Sequence, residues 1–152
     1  MLNPMLKLAN FIDGKAVPAR SARELDLWEP ATGRQYGAAP ASDAADVDAA
    51  VRAGQTAFPA WRDTPASERA RLLNRLADLI ERDLEAFALA ESRDSGKPLA
   101  LARSLDIPRS ISNLRFFAAA ATQFASESHV MEGGVNYTLR QPHGVVGCIS
   151  PW

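Results

Sequence analysis

The chain has 152 residues, 47% hydrophobic and 23% charged, with 17 basic and 18 acidic side chains and a net charge of −1. This length leaves room for one domain with a real core, and the composition is that of a soluble globular protein. All basic residues except Lys7, Lys15 and Lys97 are arginines dispersed among acids, so there is no basic stripe to bind nucleic acid.

The single cysteine, Cys148, excludes an internal disulfide framework and fits a reducing compartment. Residues 1–10 are too short and too interrupted for a signal peptide or a membrane span. No membrane or nucleic-acid partner is expected, and the expected location is cytoplasmic.

In chain order, Phe11-Ile12-Asp13-Gly14-Lys15-Ala16-Val17 places an Asp-Gly turn between apolar pairs and predicts a hairpin. Glu24 to Trp28 alternates polar and apolar residues, and Pro30-Ala31-Thr32-Gly33 breaks it with a turn. A further extended stretch is expected from Gln35 to Ala39. Ser42 is the predicted N-cap of the first helix, with Asp43 and Asp46 in its first turn and Pro59 closing it.

Thr64-Pro65 reads as the N-cap and first position of a second helix. Leu72, Leu73, Leu76, Leu79, Ile80, Leu84 and Phe87 repeat along it at helical spacing. Ser95-Gly96-Lys97-Pro98 stops that helix, because glycine suits a left-handed cap and proline forbids continuation. Ile107, Ile111, Leu114, Phe117, Ala121 and Phe124 outline another helix, which Pro108 either opens or kinks.

After Gly133-Gly134 an alternating strand, Val135 to Arg140, is expected to have one wet face. The run from Pro142 to Ile149 reads as a buried strand of a different sheet. It leads into Ser150-Pro151-Trp152, a turn signal that ought to introduce another element. The chain therefore reads as the opening third of a larger α/β protein.

No complete catalytic constellation is evident. Ser95-Gly96-Lys97 lacks the glycine and the hydroxyl residue of a phosphate loop, since Glu91 and Pro98 occupy those places. Gly144-Val145-Val146-Gly147 lacks the three-glycine dinucleotide spacing. His129 and His143 have no partner at metal or triad spacing. Cys148 reads as a structural thiol within a strand, and Glu81 and Glu85 as a solvated helix face.

Four segments nonetheless carry a resemblance in order: Phe11-Ile12-Asp13-Gly14; Glu29-Pro30-Ala31-Thr32-Gly33; Glu91-Ser92-Arg93-Asp94-Ser95-Gly96-Lys97-Pro98; and Pro142 to Trp152. They resemble the N-terminal part of the NAD(P)-dependent aldehyde dehydrogenase superfamily across essentially the whole chain. Glu29 departs from the asparagine often seen there. Leu99 to Arg103, Asp106-Ile107-Pro108-Arg109-Ser110 and Asn113 to Ala118 are similar to members that oxidise 2-aminomuconic and 2-hydroxymuconic semialdehydes.

The resemblance implies an α/β, incomplete fold: the N-terminal helical part and first strand of a Rossmann-like NAD-binding domain, plus one strand region of an oligomerisation sheet. Residues 1–126 would supply the first strands and helices, residues 127–142 the oligomerisation strands, and residues 143–152 the first parallel nucleotide-binding strand. It further implies oxidation of a small-molecule aldehyde to a carboxylate with NAD or NADP, NAD being favoured. The full-length form would be a homodimer or homotetramer.

In such enzymes a cysteine attacks the aldehyde, hydride passes to nicotinamide, and a glutamate activates water against the thioester. The oxyanion is held by a backbone N–H and an asparagine. By the resemblance those groups lie beyond Trp152, so no catalytic residue is assigned here and Cys148 is not the nucleophile. Ile149, Ser150, Pro151 and Trp152 match the stretch lining the nicotinamide-ribose end of the cofactor site. Leu27, Trp28 and Asp94 match a monovalent-cation set. Arg109, ahead of Arg103 and Arg115, is the expected anchor for a substrate carboxylate, because a planar guanidinium grips such a group with two bonds. The alternative reading is a non-catalytic helical interaction module derived from the family.

Overall fold

In the computed structural model, which describes residues 5–150, strand pairing begins with β1 (Leu6–Lys7) lying parallel to β5 (Arg34–Pro40). Between them, β2 (Asn10–Ile12) and β3 (Lys15–Val17) form the expected hairpin. Asp13 and Gly14 both have positive φ, 53° and 71°, as a two-residue turn matching strand twist requires. β4 (Glu24–Glu29) runs antiparallel to β5, giving a sheet of order β1-β5-β4. β1 approaches so closely that a Cβ on Gly37 would stand 2.6 Å from the Leu6 carbonyl oxygen.

Helix α1 (Ala44–Asp63) starts one residue later than expected. Asp43, not Ser42, is the cap: its carboxylate accepts from the Ala45 and Asp46 amides, and Asp46 accepts in return from the Asp43 amide. The Ser42 hydroxyl instead donates to Asn10 Oδ1 at 2.9 Å, fastening the helix start to β2. Asp46 is buried and also accepts from the Arg20 amide, which holds the Ala19–Arg20 loop. Pro59 does not close α1, which continues to Asp63. The carbonyl that Pro59 leaves without a donor belongs to exposed Gln55, where water can serve it. Thr64 therefore caps the end of α1 rather than the start of the next helix.

The long apolar stripe expected as one helix is divided into α2 (Ala66–Arg82) and α3 (Leu84–Ser95) by Asp83, whose φ of −104° and ψ of 23° leave the helical region. The break lets α2 lie along α5 while α3 turns toward β4, which one straight rod would not permit. Gly96, at φ 76°, ends α3 as the sequence indicated. A short α4 (Leu99–Leu101) and a π-helical turn (Ala102–Asp106) then lead directly into α5 (Ile107–Gln123). Pro108 thus sits at the opening of α5.

The core lies among these helices. Ala77, Ala88 and Ala102 have no exposed surface, and Ile107 and Ile111 fill the space around them. Small side chains let the helix backbones come close, so the deepest contacts are made by alanine rather than by the leucine stripe. Leu72 and Leu76 stay substantially exposed. Phe117 and Phe124, expected on the inner face of α5, are also exposed, and Ala118 takes the buried position.

The last paired element is a hairpin of β6 (Ser128–Met131) and β7 (Gly134–Tyr137), turned by Glu132-Gly133 with Gly133 at φ 81°. All eight strand residues are exposed. Residues 143–150 form no strand here, contrary to the sequence expectation. A strand exists only through its ladder, and no other described strand pairs with these residues.

Candidate functional site

The β4–β5 ladder is irregular at one point. Leu27 pairs with Gly37 and Trp28 pairs with Gln35, so Tyr36 has no opposite number. Such a bulge bends the strand and re-aims the unpaired side chain. The Tyr36 hydroxyl consequently reaches the last turn of α3 and donates to Asp94 Oδ1 at 2.5 Å. Burial, followed by the hydrogen bond to Asp94, pushes the Tyr36 phenol up to about 12. The Arg93 guanidinium lies 4.5 Å from the Tyr36 ring centroid, and its Nε is 3.9 Å from Glu29 Oε2.

Leu27, Tyr36, Arg93 and Asp94 border one open cleft of about 620 Å³, with Leu6 and Ile107 among its apolar walls. Two of the three residues matched to a cation set, Leu27 and Asp94, thus meet at this cleft. Trp28 follows Leu27 across the bulge with its side chain more than half exposed, and it is not part of the cleft wall. Asp94 Oδ2 accepts no hydrogen bond among the described residues. No group of three or more His, Cys, Asp or Glu side chains is assembled as a metal site among them.

The three arginines weighed as carboxylate anchors have different surroundings. Arg103 is bound by Glu85, with Nη2 at 2.7 Å from Oε2. Arg115 reaches Asp78 at 3.0 Å and Glu81 at 2.6 Å, and those bonds hold its guanidinium further above its already high value. Glu81 and Glu85 are therefore interhelical partners rather than a merely solvated face. Arg109 is exposed on the first turn of α5 and makes no ion pair among the described residues.

The segment from His143 to Gly147 lies against α1, beside Val51, Gln55 and Phe58. Gly54 makes room for it: a Cβ there would stand 3.1 Å from a Val145 methyl. Further on, Cys148 is exposed, which corrects its reading as a buried thiol. Ile149 is 99% exposed and Ser150 is also exposed. Pro151 and Trp152, the other two residues matched to the cofactor site, lie outside the described residues.

Sequence reasoning missed Tyr36 and Lys97. Tyr36 carries no local signal, because a bulge is visible only in the pairing of two strands. Lys97 enters the sequence reading through the helix stop, the rejected phosphate motif and the family segment, none of which indicates its partners; its Nζ lies 2.9 Å from Glu91 and 3.1 Å from Asp106.

Comparison with known proteins fits this arrangement. The model of the aldehyde dehydrogenase family matches residues 17–152. A 2-aminomuconic semialdehyde dehydrogenase of Homo sapiens is 49% identical over 152 residues, covering 99% of this chain and 31% of that protein. A 2-hydroxymuconic semialdehyde dehydrogenase of Pseudomonas sp. (strain CF600) is 38% identical, covering 97% of this chain and 32% of that protein. The solved structure of PnpE in complex with nicotinamide adenine dinucleotide superposes with a TM-score of 0.83 at 38% identity, covering 87% of this chain and 27% of that one. The chain thus spans about three tenths of the length of the curated relatives it matches. With the family pattern running from the β3 strand to the last residue, and with the α/β elements superposing on solved relatives, this chain belongs to the aldehyde dehydrogenase family.

Proposed function

We propose that these residues serve the NAD-dependent oxidation of a muconic-type semialdehyde to its carboxylate, with Arg109 binding the carboxylate that the substrate already carries. The observation carrying this reading is the contrast among the three arginines. Arg103 and Arg115 are occupied by acidic partners, whereas Arg109 is exposed at the start of α5 without one among the described residues. A guanidinium not already engaged retains its full set of donors for a planar anion. The names of the relatives from Homo sapiens and Pseudomonas support the same substrate class.

The cofactor belongs to this reading as well. Ile149 and Ser150 are both exposed and make no backbone hydrogen bond among the described residues. That suits a strand end opening onto a ligand crevice, the usual ligand position in open α/β sheets. NAD supplies the hydride acceptor when bound; Ile149 and Ser150, with Pro151 and Trp152, would line its nicotinamide-ribose end. A monovalent cation would be held by Asp94 and the backbone carbonyls of Leu27 and Trp28. The bulge beside Leu27 favours it, as does Asp94 Oδ2, which accepts no hydrogen bond among the described residues.

We assign residues 143–150 to a parallel strand completed by other segments of the enzyme, and the β6–β7 hairpin to an oligomer sheet. The exposed apolar side chains of the hairpin support the latter. The nucleophile and the general base are not assigned to any residue of this chain.

Arg109 is tested in an active dehydrogenase carrying these residues. Arg109→Ala should raise KM for a carboxylated semialdehyde by about tenfold or more and leave a neutral aldehyde nearly unchanged. Equal losses on both substrates would make Arg109 structural and remove the support for a carboxylated substrate.

A further inference from the structure

Asp106 ends the π-helical turn immediately ahead of α5. Within this turn the Ile107 amide donates to the Ala102 carbonyl, five residues back. The wider turn falls where Pro108 has no N–H to offer the preceding turn. π turns recur at functional sites, because the extra residue rotates everything that follows it.

Beside the Arg103–Glu85 pair, which already joins this turn to α3, a single ammonium group fastens its last residue. Lys97 Nζ donates to Glu91 Oε1 at 2.9 Å, on α3, and to Asp106 Oδ2 at 3.1 Å. Its backbone is fixed too: Ser92 Oγ donates to the Lys97 carbonyl at 2.6 Å, and the Lys97 amide donates to Ser95 Oγ at 3.3 Å. The bonds to Glu91 and then Asp106 hold the ammonium above its usual value, so it stays charged throughout the neutral range. The three side chains are only partly exposed, at 40%, 37% and 29% for Lys97, Glu91 and Asp106.

We propose that Lys97 is a positioning residue for Arg109: by pinning Asp106 to α3 it sets the rotation at which α5 begins, and so the direction in which Arg109, three residues on, leaves the helix. Its bearing on substrate rests on the semialdehyde reading above. Its bearing on the π turn does not.

Two measurements separate these parts. In this chain, Lys97→Met should speed amide exchange of residues 103–110 by about fivefold while the α2 amides keep their rates, and Lys97→Arg should restore protection. In the active dehydrogenase, Lys97→Met should raise KM for the carboxylated aldehyde about fivefold, leaving kcat and the neutral aldehyde within about twofold. Asp106→Asn should reproduce both results and replaces Lys97→Met if that variant fails to fold. Unchanged exchange at 103–110, or equal loss on both aldehydes, would overturn the role of Lys97. If Arg109→Ala treats the two aldehydes alike, the semialdehyde reading fails, and the exchange measurement still decides whether Lys97 holds the turn.

Discussion

The Tyr36 hydroxyl donates to Asp94 at 2.5 Å, tying the one residue that the β4–β5 ladder skips to the last turn of α3. Tyr36 is only 8% exposed, and burial is the larger cause of its raised value, from 10.0 to about 12. A folded-state value above the unfolded one means that the neutral phenol is favoured in the fold. Its contribution is therefore complete below pH 10 and is lost as pH climbs toward 12. Tyr36→Phe should cost about 1–3 kcal/mol at pH 8. Melts of both proteins at pH 8 and pH 11 should show the gap narrowing at the higher pH. A gap independent of pH would refute the coupling to Asp94.

Gly37→Ala should loosen β1 selectively. The added Cβ meets a backbone oxygen, Leu6 O at 2.6 Å, which cannot swing aside as a side chain could. The expected cost is about 1–3 kcal/mol. The Leu8 amide, which donates to the Ala38 carbonyl at 2.9 Å, should lose protection from exchange. Retained protection there, with wild-type stability, would show that β1 does not depend on this close approach.

The two adjacent candidates for the α1 cap are separable by mutation. Asp43→Ala removes acceptors of the Ala45 and Asp46 amides and should destabilise by about 1 kcal/mol. Ser42→Ala loses only a hydroxyl bond to Asn10 and should change stability by a few tenths, about 0.5 kcal/mol at most. The reverse ranking in denaturant titrations would restore Ser42 as the cap.

Ile111 is 5% exposed and sits among Ala77, Ala88, Ala102 and Ile107. Ile111→Ala should cost about 2–4 kcal/mol, because helices already in contact through alanine have little room to collapse onto the cavity. A loss below about 1 kcal/mol would mean that α2 and α5 can close the gap.

The isolated chain should self-associate. Val130 is 84% exposed on β6, and Val135, Tyr137 and Val146 are also largely uncovered. Apolar strands with free edges pair with whatever edge they meet. Sedimentation should show concentration-dependent oligomers, and Val130→Lys should reduce them. A sharp monomer at all concentrations would favour the interaction-module reading over a portion of an oligomeric dehydrogenase.

Features carried by a few neighbouring residues were legible in the sequence by itself. The Asp13-Gly14 turn and the Gly96 stop follow from backbone freedom at single positions, and the helices of 66–123 follow from apolar spacing. The arginine cluster around α5 was also visible, as was the family pattern that runs to the last residue. The tertiary structure decided which of Arg103, Arg109 and Arg115 has no acidic partner among the described residues, because that depends on Glu85, Asp78 and Glu81 arriving from other helices. It also decided the break at Asp83, where two halves of one apolar stripe serve different neighbours. Only strand pairing could make Tyr36 the unmatched residue of a bulge, and only the packing of α3 against that bulge could bring Asp94 to it. Local propensity acts along a few residues, whereas partners for charges, ladders and cavities are set by segments distant in sequence.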